Sequence, residues 1–209
     1  MDLNMGFSGQ RRVNNNFLGR KIMDKHVYVE RADPDAKGYE KGTRRHNNVI
    51  SRYLWANRFA SGITIDMPCG MGWGASYIIT NLLIGIDICP QAIKRAKLLY
   101  PEIRFEVGNM LNTSFPSDYA DCIICCEGYE HVVRKDQFKL MREIHRVLRN
   151  RGIALLTVPI AKYIGDHTGN EFHLYEPTFG EVQETLTGGF EIIEFTKPNV
   201  ARYVLEVIK

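Results

Sequence analysis

The chain lacks any apolar run long enough to span a bilayer, and its N-terminus lacks the apolar core of a secretory signal. A cytoplasmic location without a membrane partner is the expectation. Charge of one sign is also scarce. Twenty-seven Lys and Arg against 24 Asp and Glu leave a net charge of +3 over 209 residues. That is too little to argue for nucleic acid by itself. Arginines and lysines do gather early (Arg11, Arg12, Arg20, Lys21, Lys25), but among Asn and Gly, as in a solvated arm. Cysteine is limited to five residues, an odd number, at 69, 89, 122, 125 and 126. Cys122 and Cys125 have C-x-x-C spacing, yet on an extended strand they point to opposite faces. No second C-x-x-C and no H-x-x-x-H accompanies them, so zinc and redox chemistry give way to buried, reduced thiols. Internal repeats and low-complexity tracts are absent.

What is present is concentrated in Ile63-Thr-Ile-Asp-Met-Pro-Cys-Gly-Met-Gly-Trp-Gly74 and Leu83-Leu-Ile-Gly-Ile-Asp87. The pattern reads as strand, glycine turn, helix, and a second strand ending in a carboxylate. Glycines at 70, 72 and 74 allow a sharp bend and close approach to a ligand, with no room for a side chain at Gly72 beneath it. A helix over 75–81 would aim free N–H groups into the same space. Asp87 can accept two hydrogen bonds from a ribose diol. Two nucleoside cofactors compete for this half-site. Gly70, Gly72 and Ala75 fit the dinucleotide fingerprint, with Asp87 near the usual offset of ~20 residues, so an NAD-binding oxidoreductase is an alternative. Against it, Asp66 would repel a pyrophosphate but suits an ammonium or sulfonium. The chain is also short for a dinucleotide domain plus a substrate domain.

The rest of the chain alternates. Residues 1–42 read as a weakly ordered arm and 43–209 as one domain. An amphipathic helix is expected over Thr43–Phe59, with Tyr53 among its apolar positions. Strands are expected at 63–67, 83–87, 103–107, 120–126 and 153–158, and helices at 75–81, 91–100, 135–148 and 177–185. Gly152 after Arg151 would cap the long helix in a left-handed conformation. Alternation of this kind implies a doubly wound, mostly parallel sheet with helices on both faces. Phe190–Phe195 and Val200–Ile208, joined by Lys197-Pro198-Asn199, read as a C-terminal antiparallel hairpin.

The spacing D-x-x-x-G-x-G-x-G from Asp66 to Gly74 resembles motif I of class I S-adenosylmethionine (SAM) methyltransferases, with Pro68 where the family usually has glycine. The resemblance extends over roughly 43–209. It implies the Rossmann-like methyltransferase fold, a seven-stranded sheet closed by the C-terminal hairpin. It also implies SAM as cofactor. Gly70 and Gly72 would lie against the methionine part, Asp66 would hold the amino group, and Asp87 the ribose hydroxyls. Asn109 would accept from the adenine amine and Met110 would pack on the ring. Glu127 opens Cys126-Glu-Gly-Tyr-Glu-His-Val132, which resembles the E-x-x-E-H-V segment of small-molecule and sugar methyltransferases, with Glu130 and His131 facing the methionine moiety or substrate. Asn170-Glu-Phe-His-Leu-Tyr-Glu176 resembles the N-x-F-H-x-x-E segment of sugar-type enzymes. His131 and His173 are therefore the candidate catalytic residues, one of them a base for a hydroxyl acceptor. His167 is a further candidate contact. A metal held by His131, His167, His173 and Asp166 is conceivable, but nothing in the spacing demands it and none is expected. The expected partner is a small acceptor such as a sugar; RNA or another nucleic acid, and a non-catalytic SAM-binding module, are the remaining alternatives. The methyltransferase resemblance is to the type 11-like group.

Overall fold

The computed structural model describes residues 35, 38–166, 169–170, 172–186, 188–196 and 200–209. Nearly all of the expected arm, the hairpin connection 197–199 and His167 lie outside the described residues.

Seven strands form one sheet: β1 (Ile63–Asp66), β2 (Leu82–Asp87), β3 (Arg104–Val107), β4 (Ala120–Cys126), β5 (Leu148–Pro159), β6 (Phe190–Thr196) and β7 (Val200–Val207). Their order is β3-β2-β1-β4-β5-β7-β6. The first five run parallel, whereas β7 pairs antiparallel with both β5 and β6. The expected doubly wound sheet with a terminal hairpin is thus present. A second parallel nucleotide-binding half, which a dinucleotide enzyme of the doubly wound type carries, is replaced by that hairpin.

Alternation along β4 explains how the sheet acquires two cores. Ile123 and Cys125 face α3 (Gln137–Val147) and α4 (Phe179–Leu186), joining Leu140, Met141, Ile144 and Val182. Cys122, Ile124 and Cys126 face the other way, onto Val49, Tyr53 and Trp55 of α1 (Arg44–Ala56). Burial of a side chain such as Leu140 or Ile144 contributes roughly 1.5–3 kcal/mol. The C-x-x-C pair is therefore split between faces, and all five cysteines are buried. Burial pushes the Cys122 thiol up to about 12, which keeps it protonated and unreactive. A third cluster packs Ile93 and Ala96 of α2 (Pro90–Leu99) on Phe105 and Cys69.

Three local expectations fail for identifiable reasons. The helix over 75–81 is only a three-residue 3₁₀ turn, Ala75–Tyr77. The β-branched run Ile78-Ile79-Thr80 disfavours its continuation. Asn57 Oδ1 takes the Ile79 N–H at 2.7 Å, and the Thr80 hydroxyl donates to the Gly62 carbonyl at 2.9 Å. Near the long helix, α3 stops at Val147, and the left-handed residue is Arg151 (φ +63°) rather than Gly152. Gly152 serves a different purpose: a Cβ there would lie 2.9 Å from the Arg149 carbonyl oxygen. The last helix starts at Phe179 and not 177, behind a reciprocal cap in which Thr178 N donates to Glu181 Oε2 at 2.9 Å and Glu181 N to Thr178 Oγ1 at 3.3 Å.

Candidate active site

The sheet order reverses between β1 and β4, so the crevice opens where these strands end. β1 delivers Asp66, and the chain turns through Gly70 (φ +55°) and Gly72 (φ +79°). Asp87, at the end of β2, holds that turn. Its Oδ2 accepts from Gly70 N at 3.0 Å and its Oδ1 from Cys89 N at 2.8 Å. Asp66 is fully buried, and Tyr53 Oη donates to both of its oxygens at 3.1 Å. Burial, reinforced by the nearby Asp87 charge and opposed by the Tyr53 bond, raises the Asp66 carboxyl to about 8.

The crowding at Gly72 comes from the protein and not from the space a ligand would fill. A Cβ there would sit 2.5 Å from Phe105 Cζ and 3.2 Å from Tyr100 Cδ2. With φ at +79°, Gly72→Val combines a backbone penalty with overpacking, and should destabilise the fold by about 2–5 kcal/mol. Chemical denaturation measures this; a variant as stable as the wild type would show that Phe105 and the turn relax freely.

The loop after β4 meets the same crevice. A Cβ on Gly128 would be 2.3 Å from Pro68 Cδ, so the two loops are in contact. Glu127 adopts φ +50° and is clamped there. Its Oε2 pairs with Arg52 at 2.8 Å, and its Oε1 accepts from the Thr157 hydroxyl at 2.8 Å. Asn109 is exposed, and its Oδ1 accepts from Leu111 N at 2.9 Å, closing a local turn that leaves one lone pair. Met110 is half-buried against the main core.

Beyond Glu127 the chain forms a second polar cluster with the segment after β5. Leu174 N and Tyr175 N both donate to the Glu130 carbonyl, at 2.9 and 3.1 Å. This brings together Glu130, His131 and His173. The two imidazoles lie edge to face with centroids 5.4 Å apart. His131 Nδ1 lies 3.2 Å from the Phe172 carbonyl oxygen, which can only accept, so Nδ1 is the donor there. His173 Nδ1 bonds the buried carboxylate of Glu176. Asn170 Nδ2 is 2.8 Å from His173 Nε2, and Glu130 Oε1 is 4.0 Å from it. Asp166, by contrast, accepts from the Lys162 N–H within its own loop.

The candidate residues therefore fall into two adjoining groups: Asp66, Gly70, Gly72, Asp87 and Glu127 around the glycine turn, and His131 with His173 in the cluster beyond. Five participants escaped the sequence reading of the site: Arg52, Tyr53, Thr157, Asn170 and Glu176. Tyr53 was visible as an apolar position of α1, and Asn170 and Glu176 as ends of the N-x-F-H-x-x-E segment. Arg52 and Thr157 left no signal.

The donor set fits SAM. Carboxylates 66, 87 and 127 suit an ammonium, a sulfonium and a ribose diol, and the short 3₁₀ turn offers no helix N-terminus for a pyrophosphate. Fold and loop together resemble those of class I SAM-dependent methyltransferases. Residues 65–156 match the family described as "Methyltransferase domain". A probable SAM-dependent methyltransferase of Mycolicibacterium smegmatis is 32% identical over 155 residues, covering 71% of this chain. The chain spans 59% of that relative's length. Among solved structures, the PH0226 protein of Pyrococcus horikoshii superimposes with a TM-score of 0.68 at 18% identity, covering 90% of this chain and 99% of that one. The [4+2]-cyclase SpnF gives the same TM-score at 13% identity, covering 92% of each chain. A cyclase on this architecture means that the fold alone does not select the reaction.

Proposed function

We propose that the protein transfers a methyl group from SAM to a hydroxyl oxygen of a sugar or another small hydroxylated metabolite. The observation that carries this reading is the cluster after β4: two imidazoles, each tied to an oxygen through Nδ1, beside the buried carboxyl groups of Glu130 and Glu176. A hydroxyl ionises poorly, so an oxygen acceptor calls for a group that takes or displaces its proton. Held at the glycine turn, SAM would supply an activated methyl group to the acceptor oxygen. Asp66 and Asp87 hold the amino group and ribose diol, and Arg52 fixes Glu127 beside them. His131 and His173 stand where the acceptor's proton departs.

The cofactor half is tested by calorimetry. Wild type should bind SAM and not NAD; NAD binding without SAM binding overturns the reading. Asp87→Ala should weaken SAM by about 1.5–3 kcal/mol, roughly 10–150-fold. Because Asp87 also satisfies Gly70 N and Cys89 N, Asp87→Asn provides the milder control. The acceptor half is tested by turnover on a panel of sugars and phenols.

A further inference from the structure

We infer that the outward face of residues 133–142 docks on an anionic lipid bilayer surface, an interaction that goes beyond the proposed methyl transfer and is measured without it. The 3₁₀ turn Arg134–Asp136 runs directly into α3. Leu140, Met141, Ile144 and Val147 turn into the core. Lys135, Phe138, Lys139 and Arg142 are left exposed on the other side. On a helix Phe138 and Arg142, four residues apart, are neighbours, and so are Lys139 and Arg142. The cations thus surround an aromatic ring that is 48% exposed, and Val133, just before them, is 38% exposed.

Exposed cations on a helix are ordinarily a solvated face, with acids interleaved and paired to them. Here the acids are drawn elsewhere. Glu143 is buried, accepting from Thr113 N and Oγ1 at 2.7 Å and pairing with Arg146 at 2.7 Å. Glu181 pairs with Arg134 at 2.8 Å. Asp136 is half-buried at the start of α3, where the helix dipole favours it. Lys135, Lys139 and Arg142 have no ionic partner among the described residues. The net charge of the chain is only +3, so the attraction belongs to this patch and not to the whole molecule. Composition and shape select the partner. Proteins that follow single-stranded nucleic acid line a groove with cations and stacking aromatics, whereas these stand on the outer side of a helix. A phenyl ring among ammonium and guanidinium groups suits the boundary between headgroups and acyl chains, where the ring enters the apolar layer and the cations stay with the phosphates. The lack of a spanning run argued against a membrane partner, and no helix among the described residues is long and apolar enough to cross one. Surface attachment needs no such helix. The patch adjoins the acceptor cluster: Val133 follows His131 by two residues, Gln137 Nε2 donates to the Tyr175 carbonyl at 3.4 Å, and the Arg134 guanidinium lies 5.6 Å from the centre of the Tyr175 ring. Docking would bring that cluster close to the headgroup layer.

The test sediments the full chain with vesicles. Wild type should sediment with equal parts phosphatidylcholine and phosphatidylserine, and not with phosphatidylcholine alone. Salt should release it, since the cations are open to screening. Each cation near such a surface contributes about fivefold in affinity, so Lys135→Gln, Lys139→Gln and Arg142→Gln combined should weaken binding about 100-fold. Lys139→Gln alone, about fivefold weaker, serves should the triple variant fail to fold. Phe138→Ser should weaken binding about tenfold and leave its salt dependence in place. Lys135→Arg with Lys139→Arg keeps the charge and should bind as the wild type does. Circular dichroism checks folding. SAM affinity should be the same in every variant, because none of these side chains belongs to the candidate site. No sedimentation of the wild type with the mixed vesicles, equal sedimentation with phosphatidylcholine alone, or undiminished binding by the folded glutamine variants overturns the docking surface. Retention on single-stranded RNA without vesicle binding overturns it as well, and assigns the cations to nucleic acid.

Discussion

His173→Asn should lower turnover by about 10²–10⁴-fold on a confirmed acceptor while SAM affinity stays nearly constant. The imidazole is held by Glu176 through Nδ1, and only Nε2 is turned toward Glu130. Asparagine places an N–H close to the position of Nδ1, so the bond to the buried Glu176 can persist while the Nε2 edge is lost. His173→Ala removes both, and should cost stability as well as rate. The two variants should therefore be similarly slow but differently stable. If His173 takes the acceptor's proton, the acidic limb of the pH–rate profile disappears in the variant. Normal turnover in both His131→Ala and His173→Asn would remove histidine from the mechanism altogether.

Much of this arrangement was legible in the sequence because it depends on neighbours along the chain. Ile63 to Asp66, the glycines and Leu83 to Asp87 show strand, turn and strand through period and composition alone. Cys122, Ile124 and Cys126 against Ile123 and Cys125 show a strand buried on both faces. The loops after β4 and β5 are placed at the ligand edge by the order of elements. What escaped depends on pairs far apart. Tyr53 reads as core from its spacing, but nothing local says that its hydroxyl reaches Asp66, 13 residues away. Arg52 and Glu127 are 75 residues apart and meet only because α1 lies across the end of β4. The missing helix after the glycine turn is a different kind of error. The strand–turn–helix pattern implied it, yet Ile78, Ile79 and Thr80 oppose it locally, and the local preference prevailed. The Gly72 expectation erred in the same direction, since the space was assigned to a ligand and Phe105 fills it.

Asp66→Asn should make the free protein more stable than the wild type above neutral pH, and should make it a poorer SAM binder. An ordinary aspartate titrates near 3.8, and burial has raised this one to about 8. Between those values the native state holds a proton that the unfolded chain has released. Stability from this group is therefore fully present below about pH 4, declines as pH rises, and levels off above about pH 8. The asparagine variant has no such decline, and its amide oxygen can still accept from Tyr53. At pH 8.5 it should be more stable by about 2–5 kcal/mol, with the difference vanishing toward pH 4. Urea unfolding across that range measures it. Binding of the cofactor's ammonium requires the opposite state, an ionised Asp66. At pH 7 the wild type should therefore release a proton as SAM binds, visible in calorimetry as a heat that changes with the ionisation enthalpy of the buffer. Asp66→Asn should show no such release from this position and a weaker affinity. Equal stability of the two proteins from pH 4 to 9 would mean that the buried carboxyl carries no cost in the free protein. A buffer-independent heat for the wild type would mean that the ammonium is held elsewhere.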